Sequence, residues 1–228
     1  MRLDRFLSNL KYGTRKEIQV AIRKSKVKVD GTIINDTSFK IEPNTSSVEF
    51  DGESVYYNDN ILLMLNKPAG YLSTREKGST MTVYDLIGEP FSRFDLNIAG
   101  RLDKDTEGLL LLTNNGALLH SIISPNKKVY KKYYVKVDIP FDYKKLEQTI
   151  EIKDGRDNLY IPMNPIVELI SDNEFYLSIH EGKYHQVKRM VSYFGSTVEY
   201  LKRVSVGNIV LDESLNKGKY KIIDKYDI

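Results

Sequence analysis

The sequence contains no cysteine and few histidines, and each scarcity excludes a class of site. Without cysteine there is no disulfide, no thiolate zinc site and no cysteine nucleophile. The three histidines, which are His120, His180 and His185, are too few for a histidine-rich metal site, and their local spacing suggests no Ser-His-Asp arrangement. Any chemistry must therefore rest on carboxylates, hydroxyls or basic groups.

Long apolar runs are also missing. The apolar stretch at residues 109–112 has the length of a strand, and no apolar stretch approaches the roughly 18 residues that indicate a membrane span. The N-terminal residues 1–5 are not followed by the apolar segment of a secretory signal. We therefore expect a cytoplasmic protein with no membrane partner.

Basic residues are concentrated at the front of the chain. Residues 1–40 contain ten Lys or Arg and four Asp or Glu, a net charge of +6, whereas the whole chain carries only +3. A basic segment on a mildly acidic body suggests an anionic partner for that segment, although a solvated charged face would give the same pattern.

This basic segment has the pattern of two helices and a hairpin. A first helix is predicted by apolar residues at helical spacing, which are Leu3, Phe6, Leu7 and Leu10. Gly13 can supply a left-handed residue after its end. Thr14 and Glu17 have the spacing of a capping box for a second, basic helix. The pairs Asp30-Gly31 and Asp51-Gly52 lie between alternating runs, and each predicts a hairpin.

These residues resemble the S4 RNA-binding domain over roughly residues 1–45. The resemblance rests on three short motifs, Arg2-Leu3-Asp4, Gly13-Thr14-Arg15-Lys16 and Val27-Lys28-Val29-Asp30-Gly31. It implies RNA binding and no particular activity. Cationic side chains suit phosphate contacts, and the residues predicted to bind RNA here are Arg15, Lys16, Arg23 and Lys24.

The rest of the chain has many short strand patterns and only occasional helical ones. Helices do not alternate regularly with strands, which argues against a doubly wound parallel sheet. We predict an α+β fold, in which a small α/β S4-like domain with a hairpin linker (residues 1–58) precedes a domain on a mixed, largely antiparallel sheet (residues 59–228). A helix is predicted from the apolar residues of 187–194, with Gly195 as its stop.

A charged, glycine-bounded loop runs directly into the apolar strand at residues 109–112. Loops held between buried strands often carry catalytic residues, and this one contains the carboxylates Asp103, Asp105 and Glu107. A solvated loop is one alternative. A calcium loop is another, but its twelfth position would need Glu and is Asn114, so we discount calcium.

Four motifs of this region resemble the RsuA/RluB/E/F family of ribosomal RNA pseudouridine synthases. They are Asn66-Lys67-Pro68-Ala69-Gly70, residues 100–116 with the core Gly-Arg-Leu-Asp-x-x-Thr-x-Gly-Leu-Leu, Lys131-Lys132-Tyr133-Tyr134-Val135, and residues 181–190. With the S4-like segment, the similarity covers nearly the whole chain. It implies a pseudouridine synthase domain that isomerises a specific uridine to pseudouridine within RNA, with no metal or redox cofactor required.

The resemblance also implies the roles of individual residues. Asp103 is the expected catalytic carboxylate, acting as nucleophile or base. Tyr133 matches an active-site tyrosine, whose ring can stack on a flipped-out base. Lys188 matches a basic residue beside the aspartate, with Arg189 as a rival for that role and otherwise an RNA contact. Arg101 matches a residue that helps to hold the RNA open.

Several alternatives stay open. Asp105 could be the catalyst in place of Asp103. His185 has no defensible chemical role and is expected to contact RNA or to pack. The similarity is strongest to family members that modify small-subunit (16S) ribosomal RNA, because the N-terminal approach is short and long basic tails are absent. A large-subunit (23S) enzyme and a non-catalytic ribosome-assembly factor are the alternatives. The expected partner is ribosomal RNA or an assembling ribosomal subunit, and we expect a monomer.

Overall fold

The computed structural model describes residues 1–76 and 78–224. The chain forms two compact units, of which the first contains Met1–Asn60 and Ile87–Leu96 and the second contains Ile61–Leu86 and Asn97–Ile228. The predicted second domain also includes residue 77 and residues 225–228, which lie outside the described residues. The boundary at residues 58/59 stays a prediction. The structure adds that residues 87–96 group with the first unit, which no sequence pattern indicated.

Two short helices begin the first unit, α1 (Leu3–Asn9) and α2 (Arg15–Arg23). The capping box before α2 is confirmed, because the Thr14 side chain accepts from the Glu17 N–H and the Glu17 carboxylate accepts from the Thr14 N–H. The prediction for Gly13 is wrong, since the left-handed residue after α1 is Lys11 at φ 58°. The Tyr12 N–H bonds back to the Leu7 carbonyl, so the chain turns before it reaches Gly13.

A four-stranded antiparallel sheet completes the first unit. Its strands are β1 (Val27–Val29), β2 (Thr32–Ile33), β3 (Val48–Phe50) and β4 (Glu53–Ser54), in the order β2-β1-β3-β4. Both predicted hairpins are confirmed. Each Asp-Gly pair has two positive φ angles, 50° and 77° at Asp30-Gly31 and 53° and 90° at Asp51-Gly52, as a primed turn requires.

The second unit is built on a nine-stranded sheet. Seven strands follow the order β11-β12-β8-β13-β7-β5-β15, while β6 pairs with β7 and β14 pairs with β13. A separate hairpin is formed by β9 and β10. The strands are β5 (Leu62–Lys67), β6 (Asn97–Ala99), β7 (Glu107–Thr113), β8 (Lys131–Val137), β9 (Ile152–Lys153), β10 (Leu159–Tyr160), β11 (Ile166–Ser171), β12 (Glu174–Ile179), β13 (Val198–Val206), β14 (Ile209–Val210) and β15 (Tyr220–Ile222).

The pairing pattern confirms the predicted fold class. Among the described strands, β13 and β7 are parallel and every other pair is antiparallel, so the sheet is mixed and largely antiparallel. The second unit also contains α3 (Gly116–Ile123) and α4 (Gln186–Tyr193). Gly195 follows α4 at φ 77°, as predicted for its stop. None of the described helices combines the length and the apolar character that crossing a membrane needs.

The core of the second unit lies around β5 and β7. Every residue of both strands is buried, because each strand has neighbours on both sides and packed faces. The parallel pairing of β13 with β7 sets Arg203 opposite Gly108. A Cβ on Gly108 would lie 2.3 Å from the Arg203 carbonyl oxygen, so only glycine fits there. This close approach fixes the start of β7, where the charged loop enters the sheet.

Candidate active site

The loop of residues 100–106, here called the Asp103 loop, joins β6 to β7. The Lys67 side chain forms hydrogen bonds to its backbone. Lys67 is the last residue of β5 and is fully buried. Its Nζ donates to the carbonyl oxygens of Asp103, Lys104 and Thr106 at 3.0, 3.2 and 2.8 Å. Burial lowers the pKa of the Lys67 ammonium to about 8, although the nearby carboxylates act in the opposite direction. One buried cation therefore fixes the backbone of residues 103–106.

A second buried cation, Arg203, holds the other end of the loop. Its Nε donates to the Leu109 carbonyl and one Nη to the Gly100 carbonyl, both at 2.8 Å. Its exposed fraction is 1%. Gly100 has φ 87°, so the loop leaves β6 through a left-handed residue that favours glycine. Together with Lys67, Arg203 makes the Asp103 loop a rigid support for its side chains.

The side chain of Asp103 lines a small open cavity of the second unit. Tyr133, which is 9% exposed, forms part of its wall from β8. Arg101 is exposed and lines the same cavity. Apolar residues complete the wall, and they are Leu102, Ile179, Val187 and Leu201. Lys188 of α4 lines it as well, so the structure brings together four of the residues that the sequence assigned to the site.

Two basic side chains, His185 and Lys188, face the Asp103 carboxylate without a direct hydrogen bond to it. His185 Nε2 lies 3.6 Å from one carboxylate oxygen, and Lys188 Nζ lies 3.9 Å from the other. The Asp103 side chain keeps 29% of its surface exposed. Its oxygens therefore stay open toward the cavity, with the Lys188 ammonium near one of them.

The main partner of Lys188 is Asp105. Its Nζ lies 2.6 and 2.7 Å from the two carboxylate oxygens. Burial raises the pKa of Asp105, but the hydrogen bonds and the charge of Lys188, together with smaller contributions, hold the pKa below its usual value. Arg189, the rival for the position beside the aspartate, donates instead to the Lys153 carbonyl at 3.1 Å. Of these two cations, the structure thus brings Lys188 next to Asp103.

Glu107 is the third carboxylate of this region, and its partners differ from those of Asp103 and Asp105. Its carboxylate accepts from the Tyr200 hydroxyl at 2.6 Å and pairs with Lys217 at 2.6 Å. Its pKa is raised by burial, yet these donors bring it below its usual value. Asp105 and Glu107 therefore hold lysines in place. Within residues 1–76 and 78–224, no group of three or more His, Cys, Asp or Glu side chains is arranged to hold a metal ion.

In the first unit, the basic residues predicted to bind RNA differ in their contacts. Lys16, Arg23 and Lys24 are exposed along α2 and its end. Arg15, by contrast, donates from Nε to the buried carboxylate of Asp4 at 3.0 Å and stays 53% exposed. Arg15 therefore has a structural partner as well as an accessible surface.

Asp4 lies at the centre of a charged cluster in the first unit. Its carboxylate is fully buried and accepts from Arg2, Arg15 and Gln19 at 2.8 to 3.1 Å. Burial alone would raise the pKa of Asp4, but these hydrogen bonds hold it well below its usual range. The cluster fixes the exposed guanidinium groups of Arg2 and Arg15.

Lys67 and Arg203 support the Asp103 loop, although the sequence did not predict this. His185 lies beside Asp103, although no chemical role was predicted for it. A weak signal existed for Lys67, because it ends a strand that is otherwise almost wholly apolar. Such a lysine must find acceptors inside the fold. No comparable signal marks Arg203, which stands in an ordinary alternating strand.

Comparisons with known families and proteins agree with this arrangement. Residues 61–193 match the family model described as RNA pseudouridylate synthase, and residues 1–46 match the S4 domain. The RNA pseudouridine synthase YtzG of Bacillus subtilis (strain 168) is 41% identical, with 100% of this chain and 97% of that protein covered.

Two further relatives span the chain almost completely. The ribosomal small subunit pseudouridine synthase A of Vibrio cholerae is 38% identical over 100% of this chain and 98% of that protein. A solved structure described as a pseudouridylate synthase has a TM-score of 0.67 and 33% identity, covering 98% of this chain and 96% of that one. The resemblance identified in the sequence is thereby confirmed, and the chain belongs to the RNA pseudouridylate synthase family, with an S4 domain preceding its synthase domain.

Proposed function

We propose that this protein converts one uridine of small-subunit (16S) ribosomal RNA to pseudouridine, with Asp103 as the catalytic residue. The observation that carries the proposal is the Asp103 carboxylate, which faces an open cavity with Tyr133 in its wall and His185 and Lys188 beside it. The proposed setting is the cytoplasm, the proposed form is a monomer, and the substrate is ribosomal RNA, either free or in an assembling subunit.

The reaction is an isomerisation and needs no net reactant. The bond between C1′ of the ribose and N1 of uracil breaks, the base turns, and C1′ bonds to C5. The proton on C5 is lost and N1 regains one, so atoms and charge balance. An ionised carboxylate can serve as nucleophile or base in this sequence. Asp103 suits either role, because nothing in its described contacts fills its oxygens at hydrogen-bonding distance.

The neighbouring residues suit the handling of a flipped-out base. The target uridine must leave the RNA stack to reach the cavity. Tyr133 offers an aromatic face on which uracil can stack and a hydroxyl that can move a proton. Arg101, exposed at the rim, can contact the RNA backbone around the vacated position. Lys188 keeps the local potential positive while Asp105 orients it.

The contacts of Asp105 favour Asp103 over Asp105 as the catalyst. Among the described residues, Asp105 is not one of those that line the cavity. The Lys188 ammonium donates to both carboxylate oxygens of Asp105. A carboxylate held in this way would first have to lose its ion pair in order to react. Asp103 needs no such step.

The assignment to small-subunit RNA rests on the relatives. The Vibrio cholerae protein, 38% identical, and the Escherichia coli (strain K12) protein, 34% identical, both carry the name ribosomal small subunit pseudouridine synthase A. A large-subunit substrate is the second candidate within the same chemistry. A non-catalytic RNA-binding protein would have no use for an open carboxylate in a cavity. The S4 domain is equally compatible with an enzyme and with such a binding protein.

Pseudouridine mapping across ribosomal RNA tests the proposal. We would treat RNA with carbodiimide, read the stops by primer extension, and compare cells that carry the wild type, a deletion, Asp103→Asn or the matched control Asp105→Asn. We expect one small-subunit stop to disappear in the deletion and in Asp103→Asn and to persist in Asp105→Asn. Loss of a large-subunit stop would correct the substrate. An unchanged map with stable, RNA-binding protein would overturn the enzymatic proposal.

A further inference from the structure

Two aromatic rings form an exposed stack next to the Asp103 cavity. The rings of Tyr184 and His185 lie 3.8 Å apart between centroids, with an angle of 18° between their planes. Tyr184 is 58% exposed. More than half of the Tyr184 surface is therefore accessible to a ligand. His185 lies between Tyr184 and Asp103, since its Nε2 is 3.6 Å from the carboxylate.

The stack is positioned by the backbone conformation of His185 and by two contacts of Tyr184. His185 has φ 52°, a left-handed conformation that turns the chain into α4. Gly155, in the turn of the β9–β10 hairpin, lies so close to Tyr184 that a Cβ there would be 2.8 Å from Tyr184 Cδ1. The Arg189 guanidinium lies 5.7 Å from the Tyr184 ring centroid and donates to Lys153 of the same hairpin. The rings are therefore ordered before any ligand arrives, which reduces the entropy cost of binding.

Positive charge continues from the cavity past the stack. A shallow depression beyond Tyr184 is lined by the hairpin turn at residues 154–158 and by Lys183. Lys183 lines both this depression and the Asp103 cavity. Arg156 adds a second exposed cation, while Asp154 uses its carboxylate to accept from the N–H groups of Arg156 and Asn158. The surface therefore favours an anionic strand that extends from the cavity.

We propose that the Tyr184–His185 stack is a platform for the base of a nucleotide adjacent to the target uridine, with Lys183 and Arg156 on its phosphate. This inference rests on the proposed function and names the part of the substrate that the site reads. Aromatic faces beside cations suit unpaired nucleic acid, since every base has a face that can stack. The platform keeps the neighbouring nucleotide unstacked while the uridine occupies the cavity, and so helps to keep the RNA open around the flipped base.

Steady-state kinetics on a short RNA tests the platform. The RNA spans the mapped uridine, and the proteins are full-length wild type, Tyr184→Ala, Tyr184→Phe and a control, Tyr193→Ala, which removes another exposed tyrosine at the end of α4. We expect Tyr184→Ala to raise KM about tenfold with little change in kcat, because one base stack is lost. Tyr184→Phe keeps the ring and should behave as wild type does, as should Tyr193→Ala. An unchanged KM in Tyr184→Ala would overturn the proposal.

Changing the RNA separates a stacking role from a folding defect. An abasic residue on one side of the target uridine should raise the KM of the wild type about tenfold and add nothing to Tyr184→Ala, since both remove the same contact. Abasic residues on either side that leave the wild type unaffected would refute the platform even if Tyr184→Ala failed to fold. The proposed function is judged separately, because it depends on the loss of turnover in Asp103→Asn.

Discussion

Asp4 in the first unit and Asp103 in the second are both aspartates surrounded by cations, yet their surroundings differ. Asp4 is fully buried and accepts hydrogen bonds from Arg2, Arg15 and Gln19 at 2.8 to 3.1 Å. Asp103 keeps 29% of its side chain exposed, and its nearest basic side chains, His185 and Lys188, stay at 3.6 and 3.9 Å.

The difference shows how one residue type serves structure in one place and is available for chemistry in another. A carboxylate whose oxygens are filled by short hydrogen bonds holds its neighbours and has no capacity left for a substrate. A carboxylate whose oxygens have no short hydrogen bond can still accept a proton or attack an atom. The backbone contacts from Lys67 and Arg203 allow this, because they fix the Asp103 loop without using the Asp103 side chain.

The largest expected effect that separates the two aspartates is on turnover. Asp103→Asn should lower kcat at least about a thousandfold, as removal of a catalytic group typically does, and leave the thermal unfolding midpoint within a few degrees of the wild type. Single-turnover assays and calorimetry on the purified protein would measure both. If Asp103→Asn retained its turnover, Asp103 would not be the catalytic residue, and the contrast with Asp4 would have no functional meaning.

Next in size is the effect of removing the support of the Asp103 loop. Lys67→Met removes the ammonium that the carbonyls of Asp103, Lys104 and Thr106 share, while the Thr106 N–H still donates to Asp103 and the Gly70 N–H to Lys104. We expect a loss of roughly 3 kcal/mol in the free energy of unfolding. The drop in kcat should be at least about tenfold, because Asp103 would be misplaced.

Lys131→Met is the matched control for Lys67→Met. Lys131 is also buried, burial also lowers its pKa to about 8, and its Nζ donates to the His180 carbonyl. Lys131 has no described contact with the Asp103 loop. We therefore expect Lys131→Met to lower the free energy of unfolding and kcat less than Lys67→Met does. Urea unfolding together with kinetics of the two variants would decide this, and equal effects would argue against a specific role of Lys67.

A smaller effect is expected when the charge of Asp4 is removed. Asp4→Asn should destabilise the first unit by about 2 kcal/mol, since charge-assisted hydrogen bonds to Arg2 and Arg15 are weakened. Hydrogen exchange of peptides from residues 3–23 would report it directly. RNA affinity should fall with a shallower salt dependence if Arg15 contacts phosphate, while kcat at saturating RNA should not change.

The pH dependence of this contribution follows from the lowered pKa of Asp4. A carboxylate with a depressed pKa in the folded protein stabilises the fold above its unfolded pKa of about 3.9, and this stabilisation is lost as the pH falls toward the folded pKa. The stability difference between wild type and Asp4→Asn should thus be complete at neutral pH and decrease below about pH 4. If the stability difference between the two proteins did not depend on pH, the effect of Asp4→Asn would come from packing and not from the charge of Asp4.

The smallest expected effect is that of Asp105→Asn. Asp105 is 70% exposed, and exposed ion pairs contribute at most about 1 kcal/mol, so stability should barely change. Turnover should change by less than about fivefold, because Lys188 stays near Asp103 without its usual anchor. Complete loss of turnover in Asp105→Asn, with activity kept in Asp103→Asn, would transfer the catalytic role to Asp105.

Local patterns in the sequence predicted much of the fold. The capping box at Thr14, the two Asp-Gly turns and the stop at Gly195 depend on residues within a few positions of each other, and all four are confirmed. The prediction for Gly13 failed because α1 ends at Asn9 and the left-handed residue already comes at Lys11, two positions before Gly13. The roles of Asp103, Tyr133 and Lys188 stay proposals that the kinetic tests address.

What the sequence by itself determined is the class of the protein and the loop that carries its carboxylates, because motifs and turn residues are local and leave a recognisable order of side chains. Only the tertiary structure decided which charges meet. Lys188 is 83 positions from Asp105, and Arg203 is 103 positions from Gly100. Such pairs form where distant strands and helices converge, and no local periodicity encodes them. The tertiary structure thus leaves Asp103 open and fills the oxygens of Asp4.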